Sequence, residues 1–365
     1  MANSGADTKI LYIFGILFLI IAVLLICGWV YRALFKDQKN CSYMNNLYSN
    51  FPTITNINPS DQANFWHSLR DYYVKTAYNC CSAGNYKNDY VNVCALKDCI
   101  RQGARCLDFQ IFSKNDKPVI AVSSKTDFYI KESWNSVPFE SAMTTIASYA
   151  FSSSTCPNPN DPLILHFRIM SNNTKIYNMM ADILQSSFRS NMLLDSNFSY
   201  EYNGQNIGVV PVIDLMNKVI IIVDKVNPLF EGTDLDEYVN IASNSIFMRA
   251  LPYHDVRYTP DMNELIEFNK KNMTICIPDL NEFPINPSPS LAMNYGCQFI
   301  AMAFQSNDSN MKFYTDIFNQ SNSAFILKPI NLRYIPTMIS LPPPPDDALS
   351  YINRPVSDDF YSFSI

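Results

Sequence analysis

The sequence predicts an α/β fold, a closed barrel or a doubly wound sheet, set behind a single apolar span. Three observations predict it. From about Phe65, short apolar runs alternate with helix-like stretches over roughly 270 residues, the rhythm of repeated strand–helix units. One of these runs, Lys218 to Val223 (KVIIIV), is continuously apolar and β-branched, as expected of a strand covered on both faces. Near the start, Ile10 to Val30 (ILYIFGILFLIIAVLLICGWV) carries no charge over 21 residues. At 1.5 Å per residue such a helix spans roughly the 30 Å hydrocarbon core of a bilayer.

The elements follow in chain order. Residues 1–9 form a tail, 10–32 the span, and 33–64, polar and mixed, a linker. Ala104 to Phe112 (ARCLDFQIF) reads as a strand between Gly103 and the polar turn Ser113 to Asp116, and Pro118 to Val122 as a second short run. Phe139 to Phe151 and Lys175 to Phe188 have helical spacing, with a strand, Pro162 to Ile169 (PLILHFRI), between them. Thr274 to Ile277 and Gln298 to Phe304 are later strands. After Pro329 the composition changes, and residues 336–365 form a Pro-rich tail with Leu341 to Pro345 (LPPPP) at its centre. Such a run suits a strap along the surface or docking in an aromatic groove.

Trp29 and Tyr31 sit where an aromatic belt belongs. A signal peptide is the rival, but its apolar stretch is normally shorter, and no clear small-x-small cleavage site follows. A retained single-pass anchor is therefore expected. Lys9 precedes the span while Arg32, Lys36 and Lys39 follow it, which by charge bias leaves the large domain on the cytoplasmic or virion-interior side. The cysteines and the sequons at Asn40, Asn172, Asn197, Asn272, Asn307 and Asn319 point the other way.

Charged residues make up only 16% of the chain and hydrophobic ones 48%, enough to build a core and to exclude global disorder. A net charge of −6 without any Lys/Arg cluster argues against nucleic acid. With nine glycines in all, no phosphate-binding glycine loop appears. Five of the ten cysteines fall between Cys80 and Cys106. Zinc is one reading, but the short C-x-x-C pairing and a histidine pair are missing. Disulfides near the start of the domain suit better, and buried thiols remain open.

The order of segments resembles that of the phosphatidylinositol-specific phospholipases C. Asp71 to Asn79 (DYYVKTAYN), Ala95 to Gln110 (ALKDCIRQGARCLDFQ), Pro118 to Ser124 (PVIAVSS), Val137 to Phe151 (VPFESAMTTIASYAF) and Pro162 to Arg168 (PLILHFR) resemble the family's X region, here 65–188. Asn294 to Gln305 (NYGCQFIAMAFQ) and Ala324 to Arg333 (AFILKPINLR) resemble its Y region, here 240–335. The resemblance implies one (β/α)8 TIM-type barrel over 65–335, with its site at the C-terminal ends of the strands.

The departures from the family pattern bear on function. The two histidines used by the family fall at Tyr78 and Ser124, a phenol with a pKa near 10 and a hydroxyl that is no acid on this scale. The calcium-holding positions carry Asn79, Asp108, Gln110 and Arg168, the last a permanent cation. A phosphate-binding arginine of the Y region falls near Ile275. By alternation Cys106, Asp108 and Gln110 share one strand face and His166 and Arg168 another. His166 is then either a barrel-facing candidate or a satisfied core histidine, and Arg168 is expected to pair with Asp108 in the metal's place. Cys80 and Cys81 lack a neighbouring histidine and make poor nucleophile candidates. The expectation is a catalytically inactive, membrane-tethered binding or structural module without cofactor, calcium included. The alternative is an active phosphoric diester hydrolase with a rearranged site. Recognition of inositol-lipid head groups is a third possibility, weakened by Ile275. The Asn and Tyr excess suits an AT-rich genome such as that of a large DNA virus, whose internal membrane would supply membrane or capsid proteins as partners.

Overall fold

In the computed structural model, residues 4–126, 130–194, 198, 206–336 and 353–364 are described. The chain divides into two units, 1–333 and 334–365. The first unit is built on α1 (Ser4–Leu47), α2 (Gln62–Phe65), β1 (Tyr72–Ala77), α3 (Val93–Arg101), β2 (Cys106–Lys114), β3 (Lys117–Ile120), β4 (Val137–Pro138), α4 (Phe139–Tyr149), β5 (Leu163–Ile169), α5 (Lys175–Ser187) and β6 (Val219–Asp224). It continues through β7 (Ile241–Ser243), β8 (Met248–Pro252), α6 (Tyr253–Arg257), α7 (Met262–Lys271), β9 (Met273–Ile277), α8 (Pro289–Asn294), β10 (Phe299–Met302), α9 (Ser309–Gln320) and β11 (Phe325–Leu327).

Eight strands lie side by side in the order β7-β6-β5-β2-β1-β10-β9-β8, with every ladder along that path parallel. This is a nearly closed (β/α)8 TIM-type barrel, as the segment order implied. No ladder joins β7 to β8 among the described residues. The seam is bridged instead by Asn244, at φ 59°, whose side-chain carbonyl accepts from the Ala250 N–H at 3.2 Å. Three of the helices begin where a side chain satisfies a free N–H group: Asn92 caps α3, Asp261 caps α7 and Asp308 caps α9. Gly103, at φ 75°, turns the chain from α3 into β2, where a Cβ would come within 3.3 Å of Ile54 and Asn158.

The expected linker 33–64 is not one. α1 runs without a break from Ser4 through the apolar segment Tyr12–Tyr31, whose side chains are exposed, to Leu47. Its last three turns lie beside α3 as part of the barrel's outer layer. Asn92 Nδ2 donates to Asp37 at 2.9 Å, Cys41 is disulfide-bonded to Cys94, and Arg101 donates to Asn45 at 2.8 Å. Met44, Ile54 and Ile57 are buried in the barrel core. Polar composition hid this segment because the face that packs on the barrel carries Lys36, Asp37 and Asn40 as well as Met44 and Tyr48. Of the cysteine readings, one disulfide forms. Cys80, Cys81, Cys99, Cys106, Cys156, Cys276 and Cys297 are buried thiols.

Among its described residues the second unit holds one short antiparallel pair, β12 (Pro355–Ser357) and β13 (Ser362–Ser364), with Val356 opposite Phe363 and the side chains exposed. Leu341 to Pro345 and Asn197 lie outside the described residues.

Candidate functional site

The β2–β5 register sets Asp108 opposite His166 and Gln110 opposite Arg168. Both strands are buried along their barrel segments, so these four polar side chains must find partners inside the protein. Asp108 is fully buried, and both its oxygens are occupied. Oδ1 takes His166 Nδ1 at 2.8 Å and Arg168 Nε at 2.9 Å. Oδ2 takes Arg168 Nη2 at 2.7 Å and the Asn79 N–H at 3.1 Å. Asn79 can reach because it stands at φ 44°, turning the chain sharply at the end of β1. Burial alone would raise the Asp108 carboxyl. The Arg168 charge and the bonds from His166 and Arg168 overcome it and hold the group well below the usual carboxylate range. The ion pair expected from alternation is therefore present, and it is bidentate.

Arg168 Nη2 also donates to Asn79 Oδ1 at 2.9 Å, and the guanidinium lies 4.7 Å from the centre of the Tyr78 ring. Tyr78 packs edge-on against Tyr86 and is buried, which pushes its phenol up and away from any role as a base. Ser124 does not join this cluster: its N–H donates to Glu132 at 2.7 Å, and its hydroxyl bonds the same carboxylate. Gln110 accepts from the Ser123 N–H at 2.9 Å. Cys80 and Cys81 are buried and their thiols pushed up by that burial. Ile275 lies buried in β9. The residues present do not fit a divalent cation, since a guanidinium already bonds both Asn79 Oδ1 and the Asp108 carboxylate.

Sequence reasoning missed Ser243. Its hydroxyl lies 3.0 Å from His166 Nε2, so that Asp108, His166 and Ser243 line up as acid, imidazole and hydroxyl. The order is that of a serine-hydrolase triad. All three side chains are fully buried, however, and a nucleophile must reach its substrate. The array is a hydrogen-bonded strut across the barrel.

Above it, at the C-terminal ends of the strands, a cavity of about 340 Å³ opens between Gln110, Arg168, Asp224, Asn244, Ala250, Pro252 and Ile277, with Ile169, Met170, Val226 and Leu280 in its walls and Lys125 and Thr126 at its edge. Asp224 was also missed. It ends an apolar strand (VIIIVD), and a carboxylate at that end of a barrel strand is a signal that the sequence does carry. Around the mouth Ile130, Val226, Ile246, Leu280 and Phe283 are exposed. On the same side Lys36 of α1 donates to the Asn88 carbonyl at 3.1 Å, pairs with Asp89 at 2.8 Å and lies 5.2 Å from the Trp134 ring. From there α1 runs back past α3 toward the opposite end of the barrel, so its apolar segment leaves from the mouth end.

The sequence matches the family profile described as phosphatidylinositol-specific phospholipase C, X domain, over residues 65–225, and that of the Y domain over 236–331. No curated protein matches it. Among solved structures, L. pealei PLC21 is similar with a TM-score of 0.62 and 20% identity over 76% of this chain and 40% of that one. S. officinalis PLC21 is similar with a TM-score of 0.61 and 19% identity over 77% and 40%. The chain thus spans about 40% of the length of each, and at this identity the likeness is one of fold.

Proposed function

The chain belongs to the phosphatidylinositol-specific phospholipase C family, and we propose that it is a membrane-anchored, catalytically inactive member whose barrel serves as a binding module. One observation carries the proposal. Arg168 stands where the resemblance puts a calcium ligand, and it closes Asp108 and Asn79 into a buried ion pair. The two positions that would move protons hold a buried phenol and a hydroxyl bonded to Glu132. Calcium has no place in this reading.

The anchor is supported by the continuity of α1. Its apolar stretch passes into barrel-packed, disulfide-linked turns without the extended stretch at which a leader would be cut. Tyr31 precedes Lys36 by five residues, about 8 Å of helix, so the exposed apolar rim of the mouth lies close to the bilayer. The test is hydrolysis of phosphatidylinositol and its phosphorylated forms by the full chain in mixed vesicles, with and without calcium. No turnover is expected in either condition. Turnover that disappears with His166→Ala or Arg168→Ala would establish instead an active phosphodiesterase with a rearranged site.

A further inference from the structure

We propose that residues 82–92 are a strap that the anchor helix latches down over the β1 side of the barrel, so that the contact between α1 and this strap decides whether the site at Tyr78 and Asn79 can be reached. The proposal rests on the reading of the barrel as a membrane-anchored binding module and names how access to that module is controlled.

The strap leaves β1 through a sharp turn, with Asn79 at φ 44°, and ends where Asn92 caps α3. Its two legs meet at Ser82 and Val91. Tyr86 does the covering. Its ring packs edge-on against Tyr78 at 5.8 Å, and Tyr78 lies 4.7 Å from the Arg168 guanidinium. Under this cover Asn79 is 2% exposed, and its side-chain amino group has no hydrogen-bond partner. The mouth cavity is lined by Gln110 and Arg168 but by none of residues 82–92. With the strap lifted, the cavity would extend past Arg168 to Tyr78 and Asn79.

The latch is Asp89, a carboxylate only 2% exposed, which needs compensation for its lost hydration. Within the strap it receives two amides, from Asn85 and Tyr90, at 2.9 Å each. The opposite charge comes from α1: Lys36 Nζ lies at 2.8 Å, and Asn40 Nδ2 donates at 2.9 Å. Lys36 also holds the carbonyl of Asn88, a residue at φ 54°. Gly84 passes close under α1, where a Cβ would stand 2.6 Å from Asn40 Nδ2 and 2.4 Å from Asp89 Oδ2. Away from α1, the strap is held largely by loop residues. Glu282 takes the Tyr86 N–H at 3.0 Å and pairs with Lys87, and Glu132 takes the Asn88 N–H at 3.1 Å. Bonds between loops open locally without unfolding the barrel, so α1 is the element that keeps the strap shut.

The experiment uses the full chain in phosphatidylcholine nanodiscs. Amide hydrogen exchange is followed over 82–92 and over β5 and β6, and native thiols are alkylated with iodoacetamide. Cys80 and Cys81 are buried at the root of the strap, while Cys276 and Cys297 are buried elsewhere in the barrel and serve as references. Lys36→Met keeps most of the side chain but removes the charge. It should speed exchange over 82–92, and alkylation of Cys80 and Cys81, by roughly tenfold. β5, β6, Cys276 and Cys297 should stay as they are in the unmodified chain. Lys36→Arg should restore the slow rates. Gly84→Ala leaves every charge in place and should open the strap by crowding alone, so it decides the matter if Lys36→Met fails to fold. The proposal is overturned by a strap that exchanges as fast in the unmodified chain as in Lys36→Met, by an acceleration shared with β5 and β6, or by Lys36→Arg behaving as Lys36→Met. Failure of the underlying reading would show separately, as lipid hydrolysis by the unmodified chain or its release from membranes by alkaline carbonate.

Discussion

At the scale of single residues, the pair Asp108–Arg168 governs the site. Both side chains are at least nine-tenths buried, and removal of one leaves the other as an uncompensated buried charge. Arg168→Ala should cost about 3–5 kcal/mol in chemical denaturation, and adding Asp108→Asn should recover part of the loss, because the orphaned carboxylate goes with it. The pH dependence has a definite sign. In the unmodified protein Asp108 is held below the usual range, so its contribution is complete above pH about 4 and is lost only in stronger acid. Without Arg168, burial raises the carboxyl, and the variant should lose stability as pH rises from 4 to 7. A loss that stays constant over that window, or one below about 1 kcal/mol, would mean that water reaches the pair. A further expectation is that Tyr78→His with Ser124→His produces no phosphoinositide hydrolysis, since Arg168 still fills the metal's place. Part of this site was legible in the sequence: alternation along ARCLDFQIF and PLILHFR grouped Asp108 with Cys106 and Gln110 and His166 with Arg168, and only the family resemblance said that these faces point inward. Ser243 was not, because a three-residue strand has no readable period.

At the scale of elements, legibility followed how uniformly apolar each strand is. β5, β6, β9 and β10 lie where their runs of apolar residues predicted them, within a few residues at each end. β1 was recognised only through resemblance, since Lys75 and Thr76 break its apolar run (YYVKTA) although both are fully buried. Lys75 Nζ donates to the Gln102 carbonyl at 2.7 Å, and burial lowers its pKa to about 7. No sequence pattern announces such a lysine as interior. The same limit concealed the last turns of α1, where DQKNCSYMNNL looks like solvent-exposed chain yet buries Met44 and bridges to α3. The prediction belongs to this element. Cys94→Ser should destabilise the full chain in detergent by about 2–4 kcal/mol, because the bridge closes a long loop whose freedom it restricts. A flexible linker at 33–64 would instead leave the melting temperature unchanged.

At the scale of the whole molecule, two signals for membrane orientation oppose each other, and the structure helps to weigh them. The basic residues after the span favour the cytoplasmic side for the barrel. That bias is small, one lysine before the span against Arg32, Lys36 and Lys39 after it. One of those three is also occupied otherwise, since Lys36 pairs with Asp89 and caps the Asn88 carbonyl. Against the bias stands the Cys41–Cys94 disulfide, in the segment that joins anchor to barrel, and such bonds persist where the surroundings are oxidising. We therefore expect the barrel on the oxidising face, opposite to the side that charge alone assigns. The sequons supply the measurement. Asn40 donates to Asp89 and Asn272 accepts from Asn206, so both are engaged in the fold. Asn172 and Asn307 are exposed on the barrel. In a translocation-competent cell, the full chain should gain glycans at Asn172 and Asn307, and Asn172→Gln with Asn307→Gln should remove them. The chain should also resist extraction by alkaline carbonate, as a spanning helix does. An unglycosylated chain with the Cys41–Cys94 pair reduced would place the barrel in the cytoplasm and restore the charge rule. An unglycosylated chain with the bridge intact would also put the barrel there, with the disulfide formed by some local oxidant rather than by the compartment.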